Sequence, residues 1–382
     1  MEALILSCST GGGHNSAAAA IKEALESRGH SVTLLDPYSL VKGEHHVDRK
    51  VGGAYISVVR HTPLLFGAIY SLGELYSTAE RKINVRSPVY HINRLMKRPM
   101  AEYLAAHHFD VIITTHLFPS EILTALKQSG VSLPTTIFVA TDYTCIPFTE
   151  ETDCDFFVIP AADLDYAYKS RGIPPEKILP YGIPVRHDFA VTEDKKTAAE
   201  SLGLDASRRY ILLSGGSIGA GNIKSTVRTL RLYLRMHTDT TLIVLCGSNE
   251  ALFSDLSEKY KNDVSILPMK STDRIAELMR ASDMIISKPG GLSSTEAAVS
   301  GTPLIHIAPI PGCETKNTRY FEKNGMSVSV GNSRIRLLLS VSRLSDSREA
   351  ERMSEIQRRS ISPNAALDIC LLSESASSGN MS

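Results

Sequence analysis

The sequence has no tryptophan, no CxxC pair among its six cysteines and no excess of either charge, with 41 Lys and Arg against 41 Asp and Glu in 382 residues. Each shortage excludes something. A formal net charge of zero removes the global electrostatic footprint of a nucleic-acid-binding protein, although a balanced total can hide a local patch. Cys8, Cys145, Cys154, Cys246, Cys313 and Cys370 are widely spread without metal-ligand spacing. That pattern fits reduced thiols in a reducing compartment better than a disulfide frame. No run approaches the roughly 18 to 20 consecutive apolar residues of a membrane span; the best uninterrupted run between residues 50 and 80 is 64–70. The opening MEALILSCST, with Glu2 and a short apolar stretch, makes a poor signal peptide.

What is present is a packed globular chain. Hydrophobic residues make up 43% and charged residues 21%, which excludes disorder. The length exceeds the roughly 250 to 300 residues at which one core stops growing, so two domains are expected. Two places share one layout: an apolar run, a glycine cluster, then a helical pattern. They are residues 3–9 followed by TGGGHNSAAAAIKEALES, and 210–213 followed by SGGSIGAGNIKSTVRTLRLYL. Each reads as the opening strand, turn and helix of a doubly wound α/β domain. Further short apolar runs without alternation, as in parallel strands buried on both faces, occur at 31–35, 111–115, 136–140, 156–159, 241–245, 264–267, 284–287 and 304–307. The domain boundary falls in the polar stretch after Ile183-Pro184-Val185-Arg186, giving domains 1–190 and 191–382, the second ending in a helix and a frayed polar tail.

Residues 40–100 break the alternation, with ten Lys and Arg against four Asp and Glu and interleaved Tyr55, Phe66, Tyr70, Tyr76 and Tyr90. Bases for anionic headgroups and aromatics for the acyl boundary suit an interfacial membrane surface. A solvated surface over core aromatics gives the same residue types.

In Ser9-Thr10-Gly11-Gly12-Gly13-His14 the glycines allow positive φ, and the free N–H groups of a helix beginning near Asn15 can hold an anion or polar group. A histidine at a helix N-terminus is favoured in its neutral form, which a general base needs. A capping histidine would look the same. The turn Gly215 to Gly221 repeats the cradle. Lys288-Pro289-Gly290-Gly291 follows another strand, with Ser293 and Ser294 as candidate caps and Glu296 in the first turn, where an acid either complements the dipole or binds ribose hydroxyls. Pro309 to Asn317 and Asp142 also follow strand ends, where open parallel sheets bind ligands. The spellings Asp153-Cys154-Asp155 and Asp163-Leu164-Asp165 read as local punctuation, and no metal is assigned.

Taken in order, GGGHNSAA, ATDYTCIPF, YGIPVR, GGSIGAGN, KPGGLSSTEA and PIPGCETKN resemble the diacylglycerol glycosyltransferases of glycosyltransferase family 28, from about residue 3 to about residue 325. These are the monogalactosyldiacylglycerol synthases and the bacterial processive diacylglycerol glucosyltransferases. The resemblance implies an α/β GT-B enzyme, two Rossmann-like doubly wound domains facing a central cleft. The first would bind acceptor and membrane, the second a UDP-sugar. It implies inverting hexosyl transfer to diacylglycerol without a metal or other cofactor, at an anionic membrane surface on its cytoplasmic face, as a peripheral protein with no nucleic-acid partner. By that pattern His14, as general base, and Asp142 are the catalytic candidates. Gly12 and Gly13 would take part in donor binding, Arg186 would reach the nucleotide, and Gly215, Gly216, Ser217 and Gly219 would cradle the diphosphate. Cys246, Gly247, Asn249 and the segment around Met269 match backbone stretches that would hold the base. Gly290, Gly291 and Thr295 would belong to the donor site, Glu296 would bind the ribose, and Glu314 and Asn317 would lie near the sugar. Tyr55, Phe66, Tyr70, Tyr76, Arg81, Lys82 and Arg86 would form the membrane and acceptor region. Cys313 stands where the family commonly has Gln, which leaves the donor hexose open. A transferase of UDP-GlcNAc type acting on a polyprenyl-linked or soluble acceptor, or a binding module without turnover, are the alternatives.

Overall fold

Short apolar runs alternating with helical patterns produce two parallel six-stranded sheets. The computed structural model describes residues 1–8, 12–41, 86–217, 219 and 222–378. They fall into two units. One is Met1–Arg186 with Pro311–Cys313 and Asn364–Ser382, the other His187–Ile310 with Glu314–Pro363.

In the first unit, β1 (Glu2–Leu6), β2 (Ser31–Leu35), β3 (Val111–Thr114), β4 (Thr135–Val139), β5 (Phe156–Val158) and β6 (Ile178–Leu179) lie in the order β2-β1-β3-β4-β5-β6. Successive side chains of β1 serve opposite faces. Ala3 and Ile5 pack with Ala18, Ile21 and Leu25 of the helix Gly12–Ser27, while Leu4 and Leu6 pack with Met96, Met100, Ile122 and Leu126. Burial on both faces is why the strand shows no polar alternation.

The second unit repeats the plan with β7 (Arg209–Ser214), β8 (Thr240–Leu245), β9 (Ile266–Met269), β10 (Met284–Ser287), β11 (Leu304–Ile307) and β12 (Val328–Gly331), in the order β12-β11-β10-β7-β8-β9. Ile211, Leu213, Leu242, Val244, Ile286 and Ile305 form its core with Val227 and Leu230 of the helix Ile223–Leu234.

The chain leaves β1 towards β2 on one side and returns to β3 on the other; β7 and β10 stand in the same relation. Where connections leave adjacent strands to opposite sides, the crevice at the carboxyl ends is the usual ligand position of an open α/β sheet.

Two expectations are corrected. The strand anticipated at 264–267 lies at Ile266–Met269, because Val264 is 88% exposed in a turn where Asp263 accepts from Ser265 N and Oγ. The helix expected at 351–360 is found as Ser347–Ser360 in the second unit, but the polar tail after it is not frayed from residue 373, nor does it belong with 191–382: Ala365–Ser377 is a further helix that packs Ile369 and Cys370 against Ala18, Ile21 and Leu25 of the first unit. Arg28 Nε and Nη2 donate to the two oxygens of Glu374 at 2.8 and 2.9 Å, and His30 Nε2 sits 2.7 Å from Oε1. The short β6 and β12 were not anticipated. Among the described residues no helix is long and apolar enough to cross a membrane.

Candidate active site

In the first unit the ligand position of the open sheet falls between β1 and β3, where the start of the helix after β1 meets the residues that follow β3. The helix after β1 begins at Gly12, earlier than the expected start near Asn15, so Gly12 and Gly13 are its first residues and His14 sits in its first turn. The two glycines are helical; neither is at positive φ. Asn15 Oδ1 accepts from Ser7 Oγ at 2.8 Å, tying the helix start to the end of β1.

His14 Nδ1 lies 2.7 Å from the Thr115 carbonyl oxygen and 2.9 Å from Thr141 Oγ1. A carbonyl can only accept, so Nδ1 carries the proton and Nε2 keeps the lone pair. Burial holds His14 below the ordinary 6.5, against the opposing pull of the Asp142 charge and the Thr115 carbonyl. Helix N-terminus and desolvation therefore act together to keep the imidazole neutral. Asp142, expected at the end of a strand, lies just beyond β4 and acts on His14 electrostatically. Thr115, His116 and Thr141 were not singled out from the sequence. Their place beside His14 depends on β1 lying next to β3, and strand order is not written in any local pattern.

In the second unit the crevice lies between β7 and β10. After β7, Gly215 is buried while Gly216 and Ser217 are exposed. Gly216 and Gly219 have φ of 71° and 57°, and Gly247 after β8 has φ of 58°. A Cβ on Gly219 would run into the Cys246 carbonyl oxygen, and one on Gly247 into the Ser217 carbonyl oxygen. The two loops interlock backbone to backbone, joined by Ser248 N donating to Ser217 O at 2.9 Å. Cys246 N in turn donates to the carbonyl of half-buried Met269 at 2.9 Å. Asn249 caps the helix Glu250–Tyr260, its Oδ1 accepting from Leu252 N at 2.9 Å.

After β10, Gly290 is the N-cap and the helix Gly291–Val299 starts earlier than the candidate caps Ser293 and Ser294 implied. Glu296 is consequently in the second turn, half-buried, and no acid occupies the first turn. The first N–H groups of this helix have no intrahelical acceptor, as at any helix N-terminus, and such groups suit an anion. Glu314 Oε2 accepts from Ile310 N at 2.7 Å and Oε1 lies 3.4 Å from Lys288 Nζ. Lys288 thus brings a cation to the loop. Ala308, with φ of 42°, introduces a left-handed kink at the start of the loop that carries Ile310.

Cys246 is fully buried, and burial pushes its thiol up to about 11, so only its backbone faces the loops, the kind of contact expected of this stretch. Two other expected ligands have internal roles instead. Thr295 is fully buried with its hydroxyl donating to Gly291 O at 2.8 Å. Asn317 is fully buried and its amide donates to Pro289 O at 3.0 Å, tethering the helix Cys313–Lys323 to the loop after β10 rather than meeting a sugar. Arg186 is half-buried at the end of the first unit's long stretch. Arg86 Nη1 donates to Glu151 O at 2.5 Å and its guanidinium lies 4.9 Å from the Tyr90 ring, so it is engaged within the fold. Tyr55, Phe66, Tyr70, Tyr76, Arg81 and Lys82 lie outside the described residues.

Among the described residues, His30, Cys370 and Glu374 offer three ligand atoms within 4.8 Å of one another. Arg28 already holds both carboxylate oxygens and burial pushes Cys370 up to about 11, so the cluster is a helix clamp. Asp155 of the first DxD spelling is taken up by Thr136 N and Oγ1 and by Lys127.

Residues 14–185 match the family model of monogalactosyldiacylglycerol (MGDG) synthase, and residues 210–366 match the glycosyltransferase family 28 C-terminal domain. The processive diacylglycerol beta-glucosyltransferase of Bacillus cereus (strain G9842) is 27% identical over 338 residues, 86% of this chain and 82% of that protein. The fold is shared with MurG of Acinetobacter baumannii (TM-score 0.61, 14% identity, 98% of this chain and 99% of that one). It is shared also with the UDP-GlcNAc 2-epimerase of Neisseria meningitidis bound to UDP-GlcNAc (TM-score 0.63, 12% identity, 97% and 99%). Such likeness identifies the GT-B type of paired α/β units. With one model on each unit and both in order along the chain, this protein belongs to the monogalactosyldiacylglycerol synthase group of glycosyltransferase family 28.

Proposed function

We propose that the enzyme transfers a hexose from a UDP-sugar to the free hydroxyl of diacylglycerol, with inversion, as a peripheral protein on the cytoplasmic face of an anionic membrane. The observation that carries the reading is the His14–Thr115 bond, which leaves the His14 Nε2 lone pair available in the first turn of a helix at the β1/β3 crevice. Nε2 takes the acceptor hydroxyl proton as that oxygen attacks the anomeric carbon. The anomeric carbon–oxygen bond to the diphosphate breaks, and UDP leaves with the electron pair from the opposite face. The charge developing on the diphosphate is met by the Gly215–Gly219 loop and by the N-terminus of Gly291–Val299, which stabilise it without requiring a cation. A diacylglycerol acceptor is favoured by the activity named for the Bacillus relative, and a UDP-linked donor by the ligand named in the Neisseria structure. The basic and aromatic character of residues 40–100 supports the membrane surface.

The test is incubation with UDP-glucose, UDP-galactose or UDP-GlcNAc and diacylglycerol in phosphatidylglycerol vesicles, with and without EDTA. Lipid products are read by mass spectrometry and their anomeric configuration by NMR. A β-linked hexosyl-diacylglycerol formed equally in EDTA is the expected result. Transfer only to a soluble or polyprenyl-linked acceptor, a retained anomer, or activity restored only by Mg²⁺ would each overturn the corresponding part.

A further inference from the structure

His116 lies two residues beyond the end of β3, and its ring contacts His14 edge to face, with centroids 4.5 Å apart and planes at 70°. It is 9% exposed. Two further contacts fix it. Its Nδ1 accepts from Phe118 N at 3.2 Å, making it the N-cap of the helix Leu117–Lys127, and its ring meets the Phe118 ring at 4.4 Å in a second edge contact. An Nδ1 that accepts carries no proton, so the neutral ring has its hydrogen on Nε2. The tautomer is therefore opposite to that of His14, whose Nδ1 donates to Thr115 O.

We infer that His116 is a positioning residue: its ring, locked by the Phe118 N–H and the Phe118 ring, is the wall that holds the His14 imidazole in its Thr115-bonded orientation and limits water around it. The inference rests on the reading of His14 as the base. Among the described residues, His116 and the Thr115 carbonyl after β3, Asp142 from the loop after β4 and the positive end of its own helix act on His14 electrically. Burial, and secondarily the neighbouring His14, hold His116 well below 6.5. The pair therefore stays uncharged together, since a proton on either imidazole would be felt by the other across 4.5 Å.

Capping and ring contact can be separated by substitution. His116→Asn keeps a side-chain acceptor for the Phe118 N–H, because Asn is a favoured N-cap, but removes the ring. His116→Phe keeps a ring of similar size and loses the acceptor. On the full chain, with the vesicle assay above, His116→Asn is expected to lower kcat roughly 10- to 100-fold with the donor KM nearly unchanged. It should also move the acidic limb of the rate profile to higher pH, because His14 becomes better hydrated. His116→Phe should recover kcat to within about 3-fold despite a lower melting temperature from the lost cap. The reverse pattern, normal turnover in His116→Asn and loss in His116→Phe, would reduce His116 to a helix cap and overturn the inference. Normal turnover in both would do so too. His14→Ala is run alongside. If it is inactive while His116→Asn is normal, only the positioning role fails. If His14→Ala retains normal turnover, the base assignment fails and the positioning role with it.

Discussion

The imidazole of His14 is bonded through Nδ1 to the backbone carbonyl of Thr115, residues that the chain separates by most of a domain and the β1–β3 pairing brings together. A backbone acceptor cannot rotate away or titrate, so the tautomer of His14 is set by the sheet itself. With burial holding its pKa below 6.5, the ring remains neutral through that pH and the acidic limb of kcat/KM should fall below it. His14→Ala should lower kcat by roughly 10² to 10⁴ with the donor KM little changed. Asp142 pulls the His14 pKa up, so Asp142→Asn should shift the acidic limb further down while leaving the plateau rate within a few-fold. A plateau loss in Asp142→Asn as large as that of His14→Ala would instead make Asp142 a direct participant.

His306 on β11 gives a separate pH dependence, of stability rather than rate. It is fully buried between Ser294 Oγ and Ser327 Oγ at 3.0 and 3.1 Å, and burial lowers its pKa to about 3. The native state favours the neutral ring, so between pH 6.5 and about 3 the unfolded chain binds more protons than the folded one. This contribution is complete above pH 6.5 and is lost as pH falls through that window. Urea unfolding measured from pH 7 to 4 should show stability declining in wild type, and a shallower slope in His306→Gln.

The final helix can be tested by one buried and one exposed residue. Ile369 is fully buried in the first unit's core, whereas Leu371 is 42% exposed. Ile369→Ala should cost roughly 2 to 5 kcal/mol and Leu371→Ala less than about 1, measured by chemical denaturation. Equal effects would mean that the helix does not dock through the Ile369 face. The Arg28–Glu374 pair adds little to this, being partly exposed.

Local chemistry made much of this legible in the sequence. The glycine turns, the apolar runs of β1, β7 and β10, and His14 all announce themselves within a few residues. What escaped depends on distant partners. The polar run from Ser373 reads as a frayed tail until Ile369 and Cys370, just before it, are laid against the helix Gly12–Ser27 and carry the helix on to Ser377. Thr115 and His116 gain meaning only from strand order. The start of Gly291–Val299 was misplaced because two glycines suggest a loop, whereas Gly291 and Leu292 are both buried and helical. Asn317 reads as a polar ligand until its complete burial and its bond to Pro289 O show where the amide is spent.

The glycines of the second unit differ in why they are glycine, and that difference predicts graded effects. Gly216, Gly219 and Gly247 all have positive φ, which alone makes alanine unfavourable by about 1 kcal/mol. At Gly216 nothing lies within 4 Å of an added Cβ. At Gly219 and Gly247 the same atom meets a backbone carbonyl of the opposing loop, which can retreat only if the loop moves. Gly219→Ala and Gly247→Ala should therefore lower stability by more than Gly216→Ala, by roughly 2 kcal/mol or more, because steric displacement adds to the strain. They should also weaken UDP binding, measured by calorimetry, roughly 10-fold or more, since parting the two loops moves the N–H groups proposed above to meet the diphosphate. If Gly216→Ala proved as damaging to UDP binding as the other two, backbone freedom rather than loop interlock would be what shapes the donor seat.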